Sequence, residues 1–231
     1  MGKEQIPLNN IEHKKDFKQI RACIVDGLRL DPQTLEMIKT MSKDGFNVNY
    51  FDSVENFKKN NIKNGGEKTY VISPISQKDQ FSWKYFNCMG IVATGMGKDG
   101  KRIGFMTHQN PEVSSGELNK KFEEDLISSL RELKDKTTKG SIDAVMFGGN
   151  PRNLFLDYKK SIITANKILD RELGFKPTVM TGPDFDPKTE GGTEVYFKMQ
   201  ECLLYIVRVI QKSNANENFL ANDLLKKIEE W

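Results

Sequence analysis

The sequence predicts an α+β protein that begins with a β-α-β-α-β unit. Two observations indicate this class. Short apolar runs rich in Val and Ile alternate with segments of helical apolar spacing, and the later strands are joined by glycine turns. The 231 residues and 37% hydrophobic content allow one large domain or two small ones. We place a boundary after residue 76, which makes residues 1–76 an N-terminal β/α extension and residues 77–231 the main domain.

The N-terminal unit follows from apolar runs and helix signals. Residues 20–26 predict a buried strand, and Asp31-Pro32 then opens a helix that ends at Gly45. A second strand over residues 46–51, a short helix over 54–60 and a third strand over 69–73 complete the unit.

The main domain begins with a predicted hairpin, whose strands at 85–94 and 102–107 are joined by the glycine turn 95–100. Ser114 and Glu117 form a capping-box pattern ahead of a long amphipathic helix that closes at Gly140. The remaining predicted elements are a strand at 142–147, a helix at 161–173, a strand at 178–181, a hairpin at 194–210 turning near Gln200-Glu201, and a helix at 218–231.

Composition and charge exclude several functional classes. The net charge is only +3 and no basic run is interleaved with aromatics, so we expect no nucleic-acid partner. No signal peptide or membrane-length apolar run is present, which predicts a cytoplasmic protein with no membrane partner, although export as an effector by a specialised secretion system stays open. Three separated cysteines disfavour a disulfide framework and a zinc site, and we expect no metal and no cofactor.

Cys88 and His108 are the candidate catalytic pair, because folding of the first hairpin would bring a thiol and an imidazole together. A histidine near a cysteine activates it as a nucleophile for acyl transfer. On spacing alone, burial of Cys88 as a small apolar residue is the simpler interpretation. Cys23 and Cys202 illustrate it, since both lie in apolar strand patterns without a neighbouring histidine.

The order of features over residues 81–210 resembles the CheD-type chemoreceptor glutamine deamidases and, more distantly, the catalytic domains of the cytotoxic necrotizing factor toxins. Ser82 stands six positions before Cys88, where that superfamily has a threonine or similar residue, and His108 ends the next strand. Residues 144–150, ending in Gly148-Gly149-Asn150, resemble the family's Phe-Gly-Gly strand end, and residues 191–197 its late Gly-Gly and strand. The chain departs from the family at Phe86-Asn87, where Gly-Ser or Ser-Gly is usual.

The resemblance implies a β-sandwich of mixed sheets flanked by helices, and a protein-glutamine deamidase. Cys88 would attack a glutamine carboxamide, His108 would protonate the departing ammonia, and Ser82 would orient His108. Gly148, Gly149 and Asn150 would lie beside the substrate. The partner would be a protein with a reactive glutamine, either a chemoreceptor or a host regulatory protein. Transglutaminase or other Cys-His acyl-hydrolase activity, and a non-catalytic protein-binding module on the same fold, are the alternatives.

Overall fold

The computed structural model of the protein describes residues 19–27, 30–48, 63–64, 70–83, 85, 88–110, 117–149, 156–181 and 190–211. Within these ranges the chain is an α+β protein with two mixed sheets and three helices. None of the helices in the described ranges is both long and apolar enough to cross a membrane.

The first sheet has five strands, and its strand order places β1 and β11, from the two ends of the described chain, side by side. Across the sheet the strands are β1 (Arg21–Asp26), β11 (Leu203–Gln211), β10 (Glu190–Lys198), β5 (Gln80–Ser82) and β2 (Phe46–Asn47). β1 pairs parallel to β11, and β2 pairs parallel to β5. The two inner pairings, β11 with β10 and β10 with β5, are antiparallel.

The second sheet has six strands and carries the predicted hairpin at its centre. Across the sheet they are β3 (Lys63–Asn64), β4 (Tyr70–Ile72), β7 (Arg102–Gln109), β6 (Met89–Met96), β8 (Asp143–Gly148) and β9 (Thr178–Thr181). Only the pairing of β8 with β9 is parallel. The β6–β7 turn is closed by a hydrogen bond from Gly97 N to Lys101 O of 2.8 Å.

The two sheets pack face to face, because strand alternation turns one apolar set from each sheet toward the other. This inner core joins Val92, Met106 and Phe147 of the second sheet to Val195 and Phe197 of the first. Two helices, α2 (Glu117–Lys136) and α3 (Leu156–Leu173), cover the outer face of the second sheet. The remaining helix, α1 (Pro32–Asp44), covers the outer face of the first sheet.

The predicted local elements are confirmed at several positions. α1 begins where Asp31 accepts a hydrogen bond from Thr34 N at 2.9 Å, and it ends at Gly45. The β6–β7 hairpin is present, and so is the β10–β11 hairpin with Gln200-Glu201 in its turn. The expected short helix at 54–60 and the C-terminal helix at 218–231 lie outside the described residues, as does Ser114.

The N-terminal strands do not form a sheet of their own. β1 and β2 lie at opposite edges of the first sheet, whereas β4 pairs with β7 in the second. Each of these strands therefore completes a sheet built from residues beyond position 76, and the expected boundary at residue 76 runs through both sheets. The cause is non-local pairing: β1 finds its partner in β11, at the other end of the described chain.

Candidate functional site

Cys88 and His108 lie on the inner face of the second sheet. The β6–β7 pairing that aligns Met89 with Gln109 and Val92 with Met106 places Gly90 opposite His108, with Cys88 two residues before Gly90 on the same face. Cys88 and His108 are thus diagonal neighbours, a relation in which cross-strand side chains can approach each other. The side chain of Cys88 is 6% exposed and that of His108 is fully buried.

Ser82 reaches His108 from the opposite sheet. It ends β5, and its Oγ lies 2.8 Å from His108 Nδ1. The same hydroxyl donates to the backbone oxygen of Val48 at 2.8 Å. A serine hydroxyl has one hydrogen, so donation to Val48 leaves Ser82 as the acceptor of a hydrogen on Nδ1. These contacts therefore fix the imidazole tautomer, with the hydrogen on Nδ1 and the basic lone pair on Nε2.

Burial holds His108 in its neutral form. Removal from water lowers the pKa of His108 well below its ordinary value of 6.5, because a charged imidazolium is poorly solvated inside the protein. A neutral imidazole with its lone pair on Nε2 is a general base. Such a ring can accept a proton from a neighbouring thiol, whereas a preformed thiolate–imidazolium ion pair would need the charged ring that burial disfavours.

Tyr85 is a site residue that the sequence reasoning missed. Its ring stacks on the His108 ring, with centroids 3.8 Å apart and planes inclined by 14°. Its hydroxyl donates to the backbone oxygen of Thr107 at 3.0 Å. Burial raises the pKa of Tyr85 above its ordinary value, against a smaller lowering by a hydrogen bond with Ser82. Tyr85 thus holds the plane of the imidazole ring.

Next to His108, hydrogen bonds from side chains replace the regular backbone hydrogen bonds between β6 and β7. Ile91 N donates to the hydroxyl of Thr107 at 2.9 Å, while the Thr107 carbonyl accepts from Tyr85. Gly90, across from His108, is covered by the ring of Phe147, which a β-carbon at position 90 would contact too closely. The glycine thus leaves room for Phe147, whose ring meets Tyr85 edge-on with centroids 5.3 Å apart.

Gly148 and Gly149 lie beside Cys88 at the end of β8. Gly149 N donates to the Cys88 carbonyl at 2.8 Å. Both glycines have positive φ, +82° and +77°, a conformation that glycine adopts without strain. A β-carbon on Gly148 would lie 2.7 Å from the Cys88 carbonyl oxygen, closer than a β-carbon can approach without a shift of the backbone. The close approach of β8 to Cys88 therefore requires glycine at 148. Asn150 and Phe86-Asn87 lie outside the described residues.

Thr193 on β10 is a second residue that sequence reasoning missed at the site. Its backbone oxygen accepts from Tyr85 N at 3.0 Å, and its backbone N donates to Tyr85 O at 3.2 Å. Such mutual pairing places the two side chains next to each other on one face of the sheet. The hairpin that the sequence predicts at 194–210 begins one residue after Thr193, so the sequence pattern did not place this side chain in the sheet.

The other cysteines lie apart from this site. Cys23 is exposed on β1, and Cys202 is buried in the β10–β11 turn with a φ of +54°. None of the three cysteines, all within the described ranges, forms a disulfide. In the same ranges no group of three or more His, Cys, Asp or Glu side chains is arranged to hold a metal ion.

No protein-family model matches the chain, and no curated protein matches it.

Proposed function

We propose that the protein is a protein-glutamine deamidase with Cys88 as nucleophile and His108 as general base and acid. The observation that carries the proposal is the 2.8 Å contact between Ser82 Oγ and His108 Nδ1, taken with the hydrogen bond from Ser82 to Val48. Together these contacts direct the basic Nε2 lone pair of a neutral imidazole away from Ser82. A Cys-His hydrolase needs that tautomer to accept the thiol proton.

In the first half-reaction, His108 Nε2 takes the Cys88 proton while the sulfur attacks the carbonyl carbon of a glutamine side chain. A carbon–sulfur bond forms and the carbonyl electrons move onto oxygen. When the tetrahedral intermediate collapses, the carbon–nitrogen bond breaks and the protonated imidazole gives its proton to the leaving nitrogen. The products of this half are ammonia and a thioester on Cys88.

In the second half-reaction, water attacks the thioester while His108 Nε2 accepts one of its protons. The carbon–sulfur bond breaks, and the proton returns to the sulfur of Cys88. The side chain is released as the carboxylic acid of glutamate. Water is therefore consumed and ammonia released, with the enzyme regenerated.

The fold and the placement of the glycines support the CheD-like form of this proposal. Two mixed sheets packed face to face, with helices outside, fit the β-sandwich that the resemblance implies. Gly148 and Gly149 approach the Cys88 backbone at the end of β8 and add no side chains of their own there. The substrate would be a protein glutamine, on a chemoreceptor in a bacterial cytosol or on a host regulatory protein after export.

The test compares wild type with Cys88→Ser and with Cys23→Ser as the matched control. Each is incubated with bacterial membranes containing chemoreceptors and with a soluble eukaryotic cell extract, and glutamine-to-glutamate conversion is scored by mass spectrometry. We expect new glutamates with wild type and Cys23→Ser and none with Cys88→Ser. Equal conversion by wild type and Cys88→Ser, or none by either, would overturn the proposal. Incorporation of an added primary amine would assign a transglutaminase instead.

The burial of Cys88 favours one competitor, a binding module in which the thiol only packs against its neighbours. Alkylation rates separate the two. A catalytic Cys88 should react faster than the buried Cys202, and the advantage should disappear in His108→Gln. If Cys88 and Cys202 react equally slowly in wild type, the binding module is the better interpretation.

A further inference from the structure

Thr193 carries a buried hydroxyl beside the Cys88–His108 site. Its side chain is 1% exposed and projects from β10 between the sheets, on the same face as Val195. Its neighbour across the strand pair is Tyr85, whose ring stacks on His108. The hydroxyl is therefore next to the aromatic wall of the site.

The Thr193 hydroxyl has no hydrogen-bond partner among the described residues. The other buried threonines in those ranges are satisfied: Thr94 donates to Ile103 O at 2.9 Å, Thr107 to Gln109 Oε1 at 2.7 Å and Thr137 to Leu133 O at 2.7 Å. Burying an unpaired hydroxyl is unfavourable, and valine would fill the same volume without that penalty. The position thus keeps a polar group that the residues described in the structure do not use.

The neighbouring hydroxyls are already engaged. Ser82 donates to Val48 and accepts from His108, and Tyr85 donates to Thr107. Among the hydroxyls that the structure places around the Tyr85 and His108 rings, Thr193 alone retains both its donor and its acceptor capacity. The other walls, Phe147 and Val195, are apolar.

We propose that Thr193 is the substrate-binding residue that holds the primary carboxamide of the target glutamine. This rests on the proposed deamidase function. A primary carboxamide presents an NH₂ donor and a carbonyl acceptor, and a hydroxyl pairs with either. Acceptance of an amide hydrogen by Thr193 Oγ1 selects unsubstituted amides over esters and N,N-dialkyl amides, because those lack the hydrogen that Oγ1 would accept.

The test uses Thr193→Val, which removes the hydroxyl at constant shape, and Thr193→Ser, which retains it. Thr178→Val is the matched control, since Thr178 lies exposed on β9. Two reagents that alkylate Cys88 with loss of iodide are compared: iodoacetamide carries a primary carboxamide, and 2-iodo-N,N-dimethylacetamide does not. Exposed Cys23 serves as the internal reference in every sample.

We expect Thr193→Val to lower the preference of Cys88 for iodoacetamide about tenfold, the effect of one hydrogen bond. Thr193→Ser and Thr178→Val should keep the wild-type preference. Thr193→Val should also unfold at the same or a higher temperature than wild type, so a lost preference cannot be ascribed to misfolding. An unchanged preference in Thr193→Val, or equal slowing with both reagents, overturns the inference.

The two proposals fail in different ways. If wild type deamidates proteins and Thr193→Val does so with unchanged KM and kcat, the carboxamide-binding role is wrong and the deamidase proposal stands. If wild type deamidates nothing but shows the Thr193-dependent reagent preference, carboxamide binding stands and the deamidase proposal fails.

Discussion

His108 and Glu194 are both buried ionisable groups with shifted pKa values, yet they lie on opposite sides of the first sheet. His108 meets that sheet from inside, where Ser82 binds its Nδ1. Glu194 lies on the outer face with Tyr196, whose hydroxyl donates to Glu194 Oε2 at 2.7 Å, near the side of the sheet that α1 covers. Burial raises the pKa of Glu194 to about 6, whereas it lowers that of His108.

The difference between the two groups lies in their neighbours. His108 shares its face with Cys88 and is bound by a residue of the opposite sheet, so its orientation depends on the packing of the two sheets. Glu194 is bound by a residue two positions along the same strand. A pKa shifted by burial is thus common to both, and only a neighbouring nucleophile distinguishes a candidate base from a structural carboxyl.

The largest expected effect comes from removing the imidazole. His108→Gln should slow both Cys88 alkylation and glutamine deamidation by roughly a hundredfold to ten-thousandfold, the usual contribution of a positioned general base. Glu194→Gln, the matched change on the other face, should leave both rates near wild type. Similar losses in the two variants would mean that buried ionisable groups in general, and not the imidazole in particular, support the reactivity.

An intermediate effect is expected from the group that orients the imidazole. Ser82→Ala removes the Nδ1 acceptor and leaves Val48 O without its donor, at a cost of about 1–3 kcal/mol in the free energy of unfolding. Ser129→Ala, which deletes a buried hydroxyl on α2, is the matched control. Denaturant titration measures the cost in each variant.

If Ser82 served only to stabilise the fold, its replacement would not change the tautomer of the His108 imidazole. The ¹⁵N spectrum of His108 should report a hydrogen on Nδ1 in wild type and in Ser82→Thr, which restores the hydroxyl. Ser82→Ala should shift the tautomer population toward Nε2–H and lower the Cys88 alkylation rate. A wild-type spectrum with the hydrogen on Nε2 would contradict the assigned roles of Ser82 and His108.

The sequence predicted local structure better than long-range pairing. The β6–β7 and β10–β11 hairpins and the Asp31 helix start depend on neighbouring residues, so periodicity and glycine turns sufficed to predict them. The parallel pairing of β1 with β11 has no local signal. The N-terminal strands were therefore predicted as a unit of their own, whereas they belong to both sheets.

The candidate site shows the same difference between local features, which the sequence predicted, and long-range contacts, which it did not. Cys88 and His108 could be paired because one hairpin contains both residues, whereas Ser82 was suggested only by a family resemblance. Tyr85 was missed because its ring reaches the imidazole through packing of one sheet on the other, and Thr193 was missed because its link to the site is its pairing with Tyr85. Gly90 was missed because its role is to leave space for Phe147, and an absent side chain has no pattern to recognise.

The smallest expected effect is on the pH dependence of stability, where the two groups should act with opposite sign. The folded state raises the pKa of Glu194 from 4.5 to about 6, so the folded protein binds that proton more tightly than the unfolded chain does. The stability linked to Glu194 is therefore fully present below pH 4.5 and is lost as the pH rises through about 6, a change of about 2 kcal/mol. The stability linked to His108 is present above pH 6.5 and is lost as the pH falls, because the unfolded histidine then binds the proton more tightly.

Unfolding free energies of wild type, Glu194→Gln and His108→Gln between pH 4 and 8 separate the two contributions. The wild-type advantage over Glu194→Gln should shrink as the pH rises, and that over His108→Gln should grow. Only the slopes are compared, since each substitution also changes packing and hydrogen bonding by a constant amount. A wild-type advantage over His108→Gln that grows as the pH falls would mean that His108 is charged in the folded protein. Nε2 could then not serve as the resting base, because its lone pair would already hold a proton.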